Sequence, residues 1–415
     1  MKVIILGAGV IGVTSAWYLA RSGHEVTVLD RQESPARETS FANGGQISVG
    51  QAEPWANPAA PIKILKWIGR EDAPLLFRLR ADRRQWSWAL RFLFECLPSR
   101  TAANTLKCLR LANYSRDNLK LLRQDTGISY DDIQKGILTL HTDPREFEMA
   151  CERIGLFESH GVRIGVKTLS QALEIEPALV ESEIDIVGAT HAVDDESGDA
   201  HLFAKRLAKL AEKKSVKFSF GVKALRLNCE GDRISGVSTI AEGKIKNWSA
   251  DAFVVALGSY SPLLLSGIGI NIPVYPVKGY SVTVPIENPL KTPTVCITDE
   301  NAKVAITRMG NRLRAAGTAE LTGYDLRVRD PRCDAIISRL KQFFPKAGGY
   351  SSATRWAGLR PATPNNLPII GRTKYKNLYV NTGQGTLGWT LACGSAAGLA
   401  NVINEKSQDI DFPFI

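Results

Sequence analysis

Three glycines and one aspartate are the residues whose types and spacing most directly specify chemistry. Gly7, Gly9 and Gly12 follow the apolar run Val3-Ile-Ile-Leu6, and Asp30 closes a second apolar run, Val26-Thr-Val-Leu29. In that spacing the first glycine permits a tight turn, the second lets backbone approach a pyrophosphate, and the third lets a helix pack closely on a strand. The N–H groups that open such a helix are unpaired and lie at its positive dipole end, which suits phosphate. Asp30 sits about twenty residues beyond the turn, where a carboxylate grips a ribose hydroxyl. Glycines alone would fit an ordinary turn. The stripe Val13, Ala16, Trp17, Leu19 and Ala20 supplies the helix, and the complete strand–turn–helix–strand–acid order predicts dinucleotide binding.

The elements that must position these residues form more than one unit. A chain of 415 residues exceeds a single compact core, so two domains are expected. Hydrophobic residues at 44% and charged residues at 23% match a globular composition. Lys and Arg outnumber Asp and Glu, 52 to 42, for a net charge of +10. No basic stripe is interleaved with aromatics, so nucleic acid is not an expected partner, whereas anionic substrates or an anionic membrane face are compatible. Seven scattered cysteines with no CxxC pair speak against a disulfide framework, an iron–sulfur site or a structural zinc. No two of the five histidines are spaced for a metal, and none is expected. The first apolar run reads as a buried strand rather than a signal peptide, and no stretch of about eighteen apolar residues predicts a membrane span. The expected location is the cytoplasm.

Along the chain, a polar stretch at 38–48 and the prolines at 54, 58 and 61 read as a loop leaving the first unit. Helical spacing dominates 62–126, as at Leu111, Tyr114, Leu121 and Leu122. Strands are expected at 137–141, 188–192, 215–220, 222–228, 234–240 and 251–257, and again at 280–284, 302–306 and 312–317. Helices are expected at 146–159, 170–176, 201–214 (capped by Asp199) and 331–344. Near the end, a strand at 378–381 leads to a second glycine-rich turn, Thr382-Gly-Gln-Gly-Thr-Leu-Gly388, opening a final helix. The expected fold is therefore α/β with an α+β insert. A discontinuous Rossmann-like nucleotide domain takes 1–55, 150–262 and 355–415, and a mixed-sheet substrate or cap domain takes 56–149 and 263–354.

Four separated stretches together resemble the flavin-dependent D-amino acid dehydrogenases, within the wider glycine oxidase and D-amino acid oxidase group of FAD-dependent oxidoreductases. They are the N-terminal fingerprint with Asp30, Thr39-Ser-Phe-Ala-Asn43-Gly-Gly-Gln-Ile-Ser48, Val254-Val-Ala-Leu-Gly-Ser-Tyr-Ser261, and Trp356 to Trp389. Tyr275-Pro-Val-Lys-Gly-Tyr280 looks like the strand leading into that family's substrate domain. The similarity covers most of the chain. Its most specific part is Trp-x-Gly-x-Arg-Pro-x-Thr-Pro followed by Thr-Gly-x-Gly-Thr-Leu-Gly-Trp-Thr.

The resemblance implies a D-amino acid oxidase type of fold and non-covalent FAD. Gly7, Ala8, Gly9, Val10, Ile11, Gly12, Asp30 and Arg31 would hold its pyrophosphate and adenosine ribose, and Val222 would seat the adenine. Ser40, Asn43, Gly44, Gly45 and Gln46 would bring polar groups to the isoalloxazine ring, beside the strand end Ala256, Leu257 and Gly258. Gly383, Gly385, Thr386, Leu387, Gly388 and Thr390 would form the turn whose N–H groups meet negative charge on the reduced ring. Arg360 would meet the substrate carboxylate, which a planar guanidinium matches bidentately. Tyr280 is a weaker candidate for a second carboxylate contact. Lys278 reads as a solvated strand lysine.

The implied reaction is oxidation of an amino acid's carbon–nitrogen bond. Hydride passes from the α-carbon to flavin N5, and the imine hydrolyses to a 2-oxo acid and ammonia. Orientation would carry most of the catalysis, so the lack of a nucleophile or metal motif fits. D-Amino acids are the expected substrates, with a quinone or other non-oxygen acceptor. The alternative is an oxygen-using oxidase or a dehydrogenase of the same fold acting on glycine, sarcosine or a D-proline type of imino acid. Residues 63–100 set Trp67, Trp86, Trp88, Phe92 and Phe94 among Lys66, Arg70, Arg78, Arg80, Arg83, Arg84 and Arg91. That composition suits either an interfacial helix on the cytoplasmic face of the inner membrane or helices packed within the substrate domain. The chain ends at Ile415, where many relatives continue with a short further segment, and the substrate's side chain and chirality stay open.

Overall fold

The computed structural model describes residues 1–67 and 73–415. Its first sheet has six strands in the order Ile369–Arg372, Leu378–Thr382, Ala252–Val255, Lys2–Leu6, Glu25–Leu29 and Lys217–Ser219. All neighbours are parallel except the edge pair Ile369–Arg372 and Leu378–Thr382. Its central strands are apolar throughout rather than alternating, because both faces are covered. The helices Val10–Arg21, Ala200–Glu212 and Ala392–Ile403 pack on one face, through Val3, Ile5 and Val254. A three-stranded antiparallel sheet, Lys223–Glu230, Arg233–Ala241 and Lys244–Trp248, packs on the other, through Ile4, Leu6 and Phe253.

The second sheet is mixed. Its strands run Thr354–Ala362, Tyr275–Pro285, Arg312–Leu321, Val304–Met309, Cys296–Asp299, Ile137–His141, Gly188–Ala192 and Ile164–Lys167, with Leu75–Phe77 beside Arg312–Leu321. Alternation decides its two faces. Tyr280, Val282, Leu313, Ala315 and Leu138 point to a core closed by the helix Asp330–Phe343. Gly279, Ala316, Ala305, Thr298 and Thr139 line a cavity on the opposite side, toward the first sheet.

Three strands of this sheet lie in stretches assigned above to the nucleotide domain. Ile164–Lys167, Gly188–Ala192 and Thr354–Ala362 all hydrogen-bond to the second sheet. The chain therefore returns to the first sheet near residue 197 and again after Ala362, not at 150 and 355. Antiparallel pairing across Ile137–His141 and Tyr275–Pro285 makes the choice, and it is invisible to local periodicity. The helices expected within 62–126 are Ala60–Trp67, Arg83–Glu95 and Pro98–Thr126. Asp199 caps its helix, accepting from His201 N and Leu202 N at 2.9 and 3.1 Å. The C-terminal glycine turn winds through a 3₁₀ turn, Gly385–Leu387, before the final helix begins at Ala392. The unexpected strands, such as Gln46–Ile47, Cys296–Asp299 and Ile369–Arg372, are too short for periodicity to register.

Candidate active site

The cavity between the sheets has a volume of about 990 Å³, at the upper end for small-molecule sites. One end is the turn after Lys2–Leu6. Gly7 takes a φ of +108°, and a Cβ there would lie 2.5 Å from the Ala256 carbonyl oxygen. At Gly12 a Cβ would lie 1.8 Å from the Gly7 carbonyl oxygen. Both glycines answer to packing. Gly9 does not: a Cβ there meets only Ser40 Oγ, at 3.7 Å, so its bare backbone faces the cavity. The helix at Val10 has no side-chain cap from Gly9. Its Val10 N–H donates to Ser40 Oγ at 3.2 Å, and Val10 and Ile11 line the cavity at the positive helix end.

Asp30 accepts from Ala8 N at 2.5 Å and Gln32 N at 2.7 Å. Burial still raises its carboxyl above the ordinary range, against those two donors. The Val222 N–H donates to the Asp30 carbonyl at 2.8 Å, which sets Val222 beside the acid. Arg31 stacks over the Tyr260 ring, 3.9 Å from its centroid, and ion-pairs with Glu38. Ala8 is buried behind this wall and, like Gly12, does not line the cavity.

The loop from Asn43 to Gln46 lies against the second sheet. The Gly44 carbonyl accepts from Thr307 Oγ1 at 2.7 Å, and Gln46 Nε2 donates to Thr298 Oγ1 at 2.7 Å. Gly45 has a φ of +73°, and a Cβ would strike Met309 at 2.3 Å. Asn43 Oδ1 braces the turn by accepting from Gly45 N at 3.1 Å. Ala256, Leu257 and Gly258 reach the cavity from the first sheet, and Gly385, Thr386, Leu387 and Gly388 from the C-terminal turn. Thr390 Oγ1 holds the Ser48 N–H at 3.0 Å. Gly383 lies outside the lining, its missing side chain making room for Thr363. Asp195, which the sequence did not mark, accepts from Ser48 Oγ at 2.7 Å and Val49 N at 2.8 Å. Its complete burial outweighs these donors and raises its carboxyl to about 6.

Arg360 occupies the far wall. Cross-strand pairs Val277–Arg360, Gly279–Gly358 and Ser281–Trp356 place these side chains on the cavity face. A Cβ at Gly279 would lie 2.0 Å from Arg360 Nη1, so the guanidinium lies across the strand where a side chain is missing. Nη1 donates to the Thr318 carbonyl at 2.9 Å. Thr318 stands at an irregularity in the ladder with a φ of +55°, and its hydroxyl is buried without a partner. Among the described residues no charged neighbour offsets the burial of Arg360, which pushes its guanidinium down to about 10. It remains charged at neutral pH, with donors unspent and facing a cavity. Such a group is built to receive an anion.

A family model described as "FAD dependent oxidoreductase" matches residues 2–402. The chain belongs to this family. A D-amino acid dehydrogenase of Dechloromonas aromatica (strain RCB) is 50% identical over 416 residues, covering 100% of both chains. One from Paramagnetospirillum magneticum is 48% identical, covering 99% of this chain and 96% of that one. The glycine oxidase structure from Geobacillus kaustophilus superposes with a TM-score of 0.75 at 23% identity, covering 99% of this chain and 96% of that chain. It shares the fold.

The residues of this oxidoreductase fit FAD: a helix N-terminus at a bare glycine, a half-buried acid beside it, and a cavity continuing to Arg360. Lys278 is a correction: it is not solvated but fully buried, 3.2 Å from Glu320 Oε2. Tyr280 borders the cavity, while its hydroxyl donates to the same oxygen at 2.5 Å and its ring packs in the core of the second sheet. In the 63–100 segment, Trp88 and Phe92 are buried, whereas Trp86 and Phe94 are 47% and 57% exposed. Arg78 pairs with Glu320, Arg80 donates to the Thr322 carbonyl, and Arg70 lies outside the described residues. Gly279 carried a readable signal, a glycine inside an alternating strand. Thr318 and Asp195 carried none.

Proposed function

We propose that this protein oxidises D-amino acids to 2-oxo acids and ammonia and passes the electrons to a membrane quinone. The observation that carries the reading is Arg360, a half-buried guanidinium with no carboxylate partner among the described residues, in the cavity that also receives the nucleotide turn. Bound FAD supplies the hydride acceptor. The chain's own residues orient the substrate. Arg360 clamps the α-carboxylate, Gly279 leaves room for that clamp, and the Thr318 carbonyl holds its angle. Preference for the D-isomer is drawn from the dehydrogenases 50% and 48% identical to this chain.

The membrane part of the reading draws on the outer helices. Leu90, Leu93, Phe94 and Leu97 are exposed around the end of Arg83–Glu95, with Arg83, Arg84 and Arg91 exposed among them. Ile62 and Leu65 are exposed on Ala60–Trp67, which has no buried residue. Apolar side chains flanked by cations suit an anionic interface. Among the described residues no helix is long and apolar enough to cross a membrane.

Anaerobic addition of D- and L-amino acids to the purified flavoprotein is the test. Bleaching by D-isomers alone is the expected result, and bleaching by none, or by L-isomers only, overturns the reading. Peroxide release in air without an added acceptor would move the protein to the oxygen-using class. Co-sedimentation with anionic liposomes at low salt is expected, and its absence removes the membrane component.

A further inference from the structure

The cavity has a second polar end that the substrate clamp does not use. Ile137–His141 alternates, with Leu138 and Leu140 in the core and Ile137, Thr139 and His141 lining the cavity. The His141 side chain is nearly enclosed, the residue being 2% exposed, and among the described residues neither ring nitrogen has a hydrogen-bond partner. Burial depresses its basicity, so at neutral pH the imidazole has one N–H to give and one lone pair to receive. Phe147 packs against it with ring centroids 5.4 Å apart, itself lying over Gly188, where a Cβ would meet the phenyl at 2.4 Å. Glu146 also lines this end. One of its oxygens accepts from Lys63 Nζ at 2.8 Å, and the other is buried with no partner among the described residues. Buried polar groups are ordinarily satisfied, and three unmet atoms at one end of a cavity ask for a ligand.

That ligand is not the amino acid on Arg360. From Gly279, beneath the guanidinium, to His141 the sheet steps through Arg312–Leu321, Val304–Met309 and Cys296–Asp299. Four strand spacings make about 19 Å along the sheet. Even a lysine substrate extends only about 8 Å from its carboxylate, six bonds of roughly 1.5 Å in zigzag. Met149 and Ile154, on the helix Pro144–Glu158 that carries Glu146, line the cavity, and the charged Glu300 and Lys303 border it near His141. The helix Ala60–Trp67 meets this end through Lys63, while its Ile64 packs beside Trp88 and Val277. Ile62 and Leu65 of that helix are exposed to the outside. One helix thus separates this end of the cavity from the exposed apolar face.

We infer that His141 and Glu146 form a second subsite of the cavity that binds the head group of a quinone. The inference rests on the dehydrogenase reading above. An oxidised head group presents carbonyl acceptors, which the imidazole N–H meets. Its reduced form presents hydroxyl donors, which the imidazole lone pair and the free Glu146 oxygen meet. Met149 and Ile154, on the helix that carries Glu146, offer apolar contact to the ring.

The test is equilibrium binding of a short-tailed, water-soluble benzoquinone to the oxidised holoenzyme, read by quenching of tryptophan fluorescence and by perturbation of the flavin spectrum. His141→Leu is expected to weaken binding at least about tenfold, far more than it changes the rate of anaerobic flavin reduction by the amino acid. His141→Gln, which keeps a donor and an acceptor, is expected to stay within about threefold of the parent. Glu146→Gln serves if the leucine variant fails to retain flavin, with a smaller loss of binding expected. Equal quinone affinity in the parent and His141→Leu, or no binding by the parent, overturns the inference. So does an equal fall in amino-acid-driven reduction, which would make His141 part of the substrate or structural apparatus. If no D-amino acid bleaches the parent flavin, it is the underlying reading that fails.

Discussion

Two cations, one buried and one half-buried, lie on opposite faces of the strand pair Tyr275–Pro285 and Thr354–Ala362, and they are treated in opposite ways. Lys278 is fully buried, 3.2 Å from Glu320 and 3.7 Å from Asp325, and donates to the Arg327 carbonyl. Glu320 also receives Tyr280 and Arg78, at 2.5 and 2.6 Å. Burial opposes its ionisation, yet Tyr280, Arg78 and Lys278 together hold its carboxyl below the ordinary range. Among the described residues Arg360, on the other face, has a single carbonyl contact and no counter-charge. Desolvating a charge is costly unless it is paired. The core face therefore carries its anion within the chain, and the cavity face leaves that place for a ligand.

Breaking the cavity side should give the largest effect. Arg360→Leu is expected to lower kcat/KM for amino acids by about 10³- to 10⁴-fold, roughly 4–5.5 kcal/mol, with no loss of thermal stability. Steady-state kinetics beside a melting curve check both halves, and a matching drop in Tm would make Arg360 structural. On the core side the outcome should invert. Glu320→Gln leaves Lys278 without its nearest carboxylate and is expected to cost about 3–4 kcal/mol in urea unfolding, while the KM of the folded fraction stays near the parent value.

Asp195 is a third buried charge, held by neutral donors instead of a cation. Its carboxyl is raised to about 6 in the folded protein, above an ordinary aspartate near 4. The folded state therefore binds the extra proton between these values. The associated stability is fully present below about pH 4 and is lost as pH rises through about 6, roughly 3 kcal/mol in all. Asp195→Asn should flatten that slope in a series of melting curves from pH 4 to 7, and an unchanged slope would locate the titration elsewhere. Tyr280→Phe should be the mildest change. Loss of the hydroxyl contact with Glu320 is expected to cost about 1 kcal/mol, with KM for the amino acid within about twofold. A tenfold rise in KM would return Tyr280 to the substrate site.

The nucleotide end was legible because its parts are local. Gly7, Gly9 and Gly12 fall within one turn and the start of one helix, and the following strand brings Asp30 alongside. Helices such as Asp330–Phe343 were readable from their period, and Asp199 from its capping position. The domain boundaries were not, because Gly188–Ala192 and Thr354–Ala362 join the second sheet through partners far along the chain. Gly279 and Arg360 are brought together by a register that neither stretch encodes alone.

By itself the sequence determined that a dinucleotide cradle forms at the N-terminus, that a second glycine turn closes the chain near Gly385, and that Arg360 belongs to a specific motif. These are properties of neighbouring residues, whose φ angles and missing side chains act at short range. Only the tertiary structure decided that Arg360 lies over Gly279 without a counter-ion among the described residues, that the Tyr280 hydroxyl and Lys278 meet Glu320, and that His141 reaches the same cavity with no partner among those residues. Strand side chains alternate, so a shift of one residue in pairing exchanges the two faces, and pairing is settled by contacts across the sheet.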